Sequence, residues 1–157
     1  MKVTGKNPET GEDIELESDK VTPEFIDSMS ENSLPDDQVK KLIEKLDISA
    51  DAKSMLYAFS RVTIKAGEFV LKIGRKIIDF VFLLYKEYPS ATFGMVFGAI
   101  AGFLVASIPF LGAVLGPIFT PIAIAIGLLG GLNEDLKDKA LVRRVAEINA
   151  SFSPLAA

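Results

Sequence analysis

At 157 residues the chain is long enough for one domain with a substantial core, and its mean hydropathy of +0.33 lies above that of most soluble domains. It contains no His and no Cys, which removes the commonest metal ligands, the thiol nucleophiles and the usual neutral-pH acid–base group. An enzyme is therefore a poor expectation, and no cofactor or metal is expected.

The net charge of −4 hides an uneven division: residues 1–52 carry net −8, residues 53–88 net +4, residues 89–132 no charge, and residues 133–157 balanced charge. Such blocks imply segments that face different surroundings. Nucleic acid is not an expected partner, because the basic block leads directly into the most apolar part and no basic motif recurs.

In chain order, Val3 and Ile14/Leu16 stand on either side of Asn7-Pro8-Glu9-Thr10-Gly11, turn chemistry between two short runs of strand type, which predicts a small β-hairpin. The first twenty residues hold no apolar signal region, so the N-terminus is expected to stay in the compartment of synthesis. Thr22-Pro23-Glu24 and Pro35-Asp36-Asp37 read as two helix starts, each with a proline at the start and acids in the first turn. In the second helix Val39, Leu42, Ile43 and Leu46 form one packed stripe. Residues 1–52 are thus expected to be an acidic region of hairpin and short helices, able to dock a cytosolic partner.

Ser49 reads as the cap of a long helix from about Ala50 to Tyr88, ended by Pro89. Charges at 65, 68, 72, 75, 76, 79 and 86 recur at three- and four-residue steps, opposite Phe69, Val70, Ile73, Ile77, Phe80, Val81 and Leu84. Over residues 53–88 this predicts an amphipathic helix with a basic face. If it lies in a membrane interface, Lys65, Lys72, Arg75 and Lys76 sit near lipid phosphates, with Tyr85 and Tyr88 at the headgroups. Asp79 is the one acid in a very apolar run, and it reads as a member of the polar face.

From Tyr88 to Asn133 no residue is charged. That length fits two spans and a tight turn, with Pro109 excluding one continuous helix. The spans are expected at 91–107 and 112–132, in residues 89–132, as a re-entrant or barely crossing hairpin with an apolar tip. Both termini then lie on the cytoplasmic side, because the basic block precedes the first span. Ser90, Gly94, Gly98, Gly102 and Ala106 place a small residue at every fourth position of the first span, and Gly112, Gly116, Thr120, Ala123, Gly127 and Gly131 continue the pattern in the second. Glycine ladders in lipid serve close helix–helix packing, here between the arms and between copies. The pattern over residues 90–132 resembles glycine-zipper membrane segments and the hydrophobic helical hairpin of colicin-type pore-forming domains, although the large bundle of soluble helices of the colicin type is missing. The resemblance implies a capacity for membrane insertion.

Residues 133–157 are expected to restart a short helix behind Asn133, with Leu136, Ala140, Leu141, Val145 and Ile148 as its apolar stripe, and to fray from Ser151 onward. The expected fold is therefore mainly α: a membrane-embedded helical hairpin preceded by a long amphipathic helix and a small acidic N-terminal region. The leading functional expectation is a self-assembling protein, a toxin or effector, that permeabilises the lipid bilayer as a homo-oligomer. The alternative is a non-conducting membrane anchor or scaffold. A pore would be short of polar lining, since only Ser90, Thr92, Ser107 and Thr120 offer hydroxyls in the block. A soluble protein that hides the hairpin inside an oligomer ranks third.

Overall fold

The Asn7 side chain turns the N-terminal segment by accepting the N–H groups of Glu9 and Thr10 at 2.9 and 3.2 Å, and Gly11 follows with φ of +73°. On either side of this turn β1 (Lys2–Lys6) and β2 (Asp13–Glu17) pair antiparallel, Val3 opposite Leu16. The computed structural model describes residues 1–31, 33–127 and 138–156.

Three short helices follow, each where its local chemistry places it. Thr22 accepts the Phe25 N–H and caps α1 (Pro23–Ser30), which has proline in its first turn. Asp36 and Asp37 open α2 (Asp36–Glu44) at the end of the dipole that favours acids. Ser49 accepts the Ala52 N–H and caps α3 (Ala50–Ser60). The buried side of the first two is formed by Phe25, Ile26, Met29, Val39 and Ile43.

The single long helix expected from Ala50 to Tyr88 does not form. It is two helices, α3 and α4 (Ile73–Glu87), separated by a hairpin of β3 (Ile64–Ala66) and β4 (Phe69–Leu71). Gly67 turns this hairpin at φ +60°, a conformation that side-chain-bearing residues rarely adopt, and its N–H donates to the Lys2 carbonyl at 3.0 Å. Strand β3 pairs with β1, giving a four-stranded antiparallel sheet in the order β2-β1-β3-β4. Val3, Ile64, Ala66 and Leu71 point into the core, while Lys2, Lys6, Lys65 and Val70 occupy the outer face.

The uncharged block folds as α5 (Phe93–Phe97), a π-helical turn (Gly98–Gly102), α6 (Phe103–Ser107) and α7 (Pro109–Ala125). The chain does reverse at Ile108-Pro109, but neither arm is a membrane-length helix. Among the described residues no helix is long and apolar enough to cross a membrane, and this overturns the expectation of a transmembrane hairpin. α7 has 17 residues, about 26 Å of helix against a hydrocarbon core of about 30 Å, and it carries Pro117 and Pro121 in its interior. The first arm is interrupted by its π turn.

Instead, α7 lies against α6, α3, the strands β1 and β2, and the C-terminal 3-10 turn (Ser153–Ala156). Phe110, Leu111, Val114, Leu115, Phe119 and Ile122 are all buried there. The approaches are close. A Cβ on Gly5 of β1 would stand 2.6 Å from Val114 Cγ2, and one on Gly112 would stand 2.6 Å from the Val105 carbonyl oxygen. Phe97, fully buried, stacks on Phe93 and Phe119 and meets Phe59 edge-on, with centroids 5.5–5.9 Å apart, so one ring ties α3, α5 and α7 together.

The C-terminal helix α8 (Lys139–Ala150) is capped by Asp138, which accepts the Ala140 and Leu141 N–H groups. The expected restart behind Asn133 and the Leu136 position lie outside the described residues. Asn149 of α8 donates to the Ala99 carbonyl at 3.3 Å, inside the π turn whose widened ladder leaves acceptors to satisfy. The tail expected to fray is held in place over 152–156: Phe152 and Leu155 are fully buried, and Pro154 accepts the Ser18 hydroxyl hydrogen at 2.7 Å.

Replacing Phe97 with Ala should cost about 3–5 kcal/mol, since it opens a cavity where three elements meet. Urea unfolding monitored by circular dichroism measures this, and a loss below about 1 kcal/mol would show that Phe97 is not the tie between them.

Candidate functional site

The chemistry of the chain gathers on α4. One side of this helix, Ile73, Ile77, Ile78, Val81 and Leu84, is buried in the core. Its other side faces the connector before α2 and the end of α2 itself, and a cavity of about 860 Å³ remains open between them. Leu34, Leu42 and Leu46 form one wall, and Phe80, Phe82, Leu83 and Tyr85 the other. Lys45, Lys76, Lys86 and Asp79 are the acidic and basic side chains among the lining residues.

Two cations that an amphipathic reading assigns to a wet face are buried instead: Arg75 is 6% exposed and Lys76 7%. Arg75 donates to the Leu34 carbonyl at 2.8 Å and to Asp36 Oδ1 at 2.7 Å, while the Tyr57 hydroxyl donates to Asp36 Oδ2 at 2.7 Å. The Tyr57 hydrogen bond, helped by the charges of Arg75 and Arg61, holds the Asp36 carboxyl below its ordinary value, against a smaller effect of desolvation. Lys76 Nζ donates to the Glu31 carbonyl at 2.7 Å and stands 5.1 Å from the centre of the Phe80 ring. Asp79 Oδ2 accepts the Leu34 N–H at 3.2 Å. Charged side chains of α4 therefore hold the connector by its backbone, and the connector forms a wall of the cavity.

This arrangement leaves polar capacity unused. An ammonium has three donors, and among the described residues Lys76 spends one. Asp79 Oδ1 is buried without a hydrogen-bond partner among the described residues. Burial pushes the Asp79 carboxyl up to about 6, against the pull of the Leu34 N–H, Arg75 and Lys76. Burial likewise lowers Lys76 below the ordinary lysine value, opposed by Asp79 and Glu31.

The remaining residues singled out from the sequence are dispersed. Lys65 on β3 and Lys72 after β4 are exposed, Tyr85 is exposed at the cavity mouth and Tyr88 is half-buried. Ser90, Ala106 and Thr120 are exposed, Gly94 and Gly102 half-buried, and Gly98 and Ala123 buried. Gly112 and Gly116 both face Val105 of the first arm, Gly116 at ordinary contact distance. Gly127 follows α7 with φ of +76°, and Gly131 lies outside the described residues. The groove residues Leu34, Lys45, Phe82 and Leu83 carried no signal of their own. Asp79, a lone acid in an apolar run, and Lys76, a cation beside apolar residues, were the visible markers of the place. No family model, curated protein or solved structure matches the chain.

The Asp79 carboxyl binds its proton more tightly in the folded chain than the unfolded value of 3.8. Its contribution therefore favours folding at acid pH, falls as pH rises from about 4 to about 6, and is flat above. Asp79→Asn keeps an acceptor for the Leu34 N–H and should remove that fall, raising stability at neutral pH by about 1 kcal/mol once partial solvation of the carboxyl is discounted. Urea unfolding of both proteins from pH 4 to pH 8 is the check, and parallel profiles would refute it.

Proposed function

We propose that the protein is a binding module for an amphipathic organic anion, with the apolar body of the ligand in the groove beside α4 and its anionic head at Lys76. The observation that carries this reading is a buried ammonium with unused donors on the wall of an apolar cavity of about 860 Å³. That volume lies in the range of small-ligand pockets, and a few convergent polar groups in an apolar lining fit such a ligand. Lys45 and Lys86 add two further positive charges to the groove. A desolvated cation gains from an anion more than an exposed one does, because the surroundings screen less.

Asp79 links binding to protons. A ligand anion beside Lys76 opposes ionisation of the neighbouring carboxyl, so binding takes up a proton and affinity falls as pH rises through about 6. The groove draws Leu34, Leu42, Lys45 and Leu46 from the N-terminal region that was expected to dock a cytosolic protein partner, and this proposal gives that face a small ligand instead. The permeabilising and anchoring expectations both called on a membrane hairpin, and many of the described apolar residues of that hairpin, Phe97, Leu104, Leu111, Leu115 and Ile122 among them, are buried in the core.

Decanesulfonate is a suitable probe, because its head stays anionic throughout the pH range. By calorimetry it should bind more tightly than decanol by about tenfold or more, and Lys76→Met should remove most of that preference while leaving decanol unchanged. Affinity should weaken from pH 5 to pH 7 in the parent chain and stay level in Asp79→Asn. Equal affinity for the two probes, or indifference to Lys76→Met, refutes the reading. Dye release from sealed liposomes is the separate readout of permeabilisation, and release at low protein density would displace the groove reading.

A further inference from the structure

The two edges of the sheet are built differently. β2 exposes Asp13, Glu15 and Glu17, and Glu15 is paired to Lys2 at 2.9 Å. Pairing this strand with a copy of itself about Glu15 would set Asp13 against Glu17, so like charges guard that edge. β4 has no such guard. Phe69 is 57% and Val70 55% exposed there.

The ladder from the two-residue turn Gly67-Glu68 sets Ala66 opposite Phe69 and Lys65 opposite Val70. Pairs of an antiparallel ladder alternate between hydrogen-bonded and not, and the pair closing a two-residue turn is bonded, so the main-chain N–H and C=O of Val70 point to the open edge. The stretch Glu68-Phe69-Val70-Leu71-Lys72 is self-complementary in charge. Laid antiparallel against itself about Val70, β4 brings the residues that flank it together, Glu68 of the turn beside the partner's Lys72 and Lys72 beside the partner's Glu68. Phe69 then stands opposite the partner's Leu71, whose side chain its own core already buries, and the two Val70 residues exchange their free main-chain bonds. Among the described residues neither Glu68 nor Lys72 has an ion-pair partner within the chain.

We infer that the β4 edge is a homodimer surface, on which a second copy of this chain pairs strand to strand about Val70 and joins two four-stranded sheets into one of eight. The contact is isologous and closes on itself, so it yields a dimer and not a filament. A contact centred on two three-residue strands is short beside the roughly 1,200–2,000 Å² of stable complexes, so the dimer should depend on concentration. The proposal is independent of the groove, since none of these residues lines the cavity.

The absence of cysteine makes the register directly testable. Opposed residues of a hydrogen-bonded pair stand about 5.5 Å apart at Cα, within disulfide reach. Under mild oxidation Val70→Cys should cross-link to a dimer, while Glu15→Cys on the guarded edge should not. In sedimentation equilibrium the parent chain should dimerise with concentration, Glu68→Lys and Lys72→Glu should each weaken the dimer by about tenfold or more, and the double swap should restore it. All these side chains are exposed, and unchanged circular dichroism verifies the fold. A parent chain monomeric at every concentration, equal cross-linking at both edges, or a double swap that stays weak overturns the proposal.

Discussion

Helix α7 has no charged side chain and only Thr120 as a polar one, and the fold is arranged around the need to keep the side formed by Phe110, Leu111, Val114, Leu115, Phe119 and Ile122 from water. Enclosure takes contributions from both ends of the chain. β1 approaches at Gly5, α6 at Gly112, and Phe97 stacks on Phe119, while the terminal 3-10 turn closes from the far end. Two of these contacts are at positions where a methyl group would already collide, so the enclosure depends on small residues in both the strand and the helix.

With the core centred on α7, α4 becomes a boundary between two environments. Its inner side is apolar and its outer side carries Arg75, Lys76 and Asp79, which are too enclosed to behave as surface charges. Their solvation is replaced by backbone carbonyls and an N–H of the connector, by Asp36 and by the Phe80 ring. The replacement is incomplete at Lys76 and Asp79. An incompletely satisfied charge beside an apolar cavity is what distinguishes the groove from a packing defect, which would be apolar throughout.

Groove and sheet edge are separate consequences of one event, the division of residues 50–88 into helix, hairpin and helix. The hairpin adds β3 and β4 to the N-terminal pair and leaves β4 as an unguarded edge. It also turns α4 so that its charged side meets the connector and α2. A single long helix would have supplied neither surface.

Features satisfied within a few residues were legible in the sequence: the Asn7–Gly11 turn, the Thr22 and Ser49 caps, the acids opening α2, the reversal at Ile108-Pro109 and the apolar stripe of Leu141, Val145 and Ile148. The chemistry that decides these lies within one turn of backbone. Of the site, the sequence marked Asp79 as an anomaly and Arg75 and Lys76 as cations beside apolar residues. It assigned all three to an outer face because the periodicity of a helix says which side chains share a side, and not what covers that side. The break at Gly67 was missed because β3 is stabilised by pairing with β1, some sixty residues earlier, while the charge spacing continued to suit a helix. The fate of the uncharged block was likewise a tertiary decision. Apolar side chains leave water equally well into lipid or into a protein core, so their composition is the same in either case. What placed them in the core here is the apolar surface supplied by Val3, Phe59, Ile64 and Phe152, brought to α7 from distant parts of the chain.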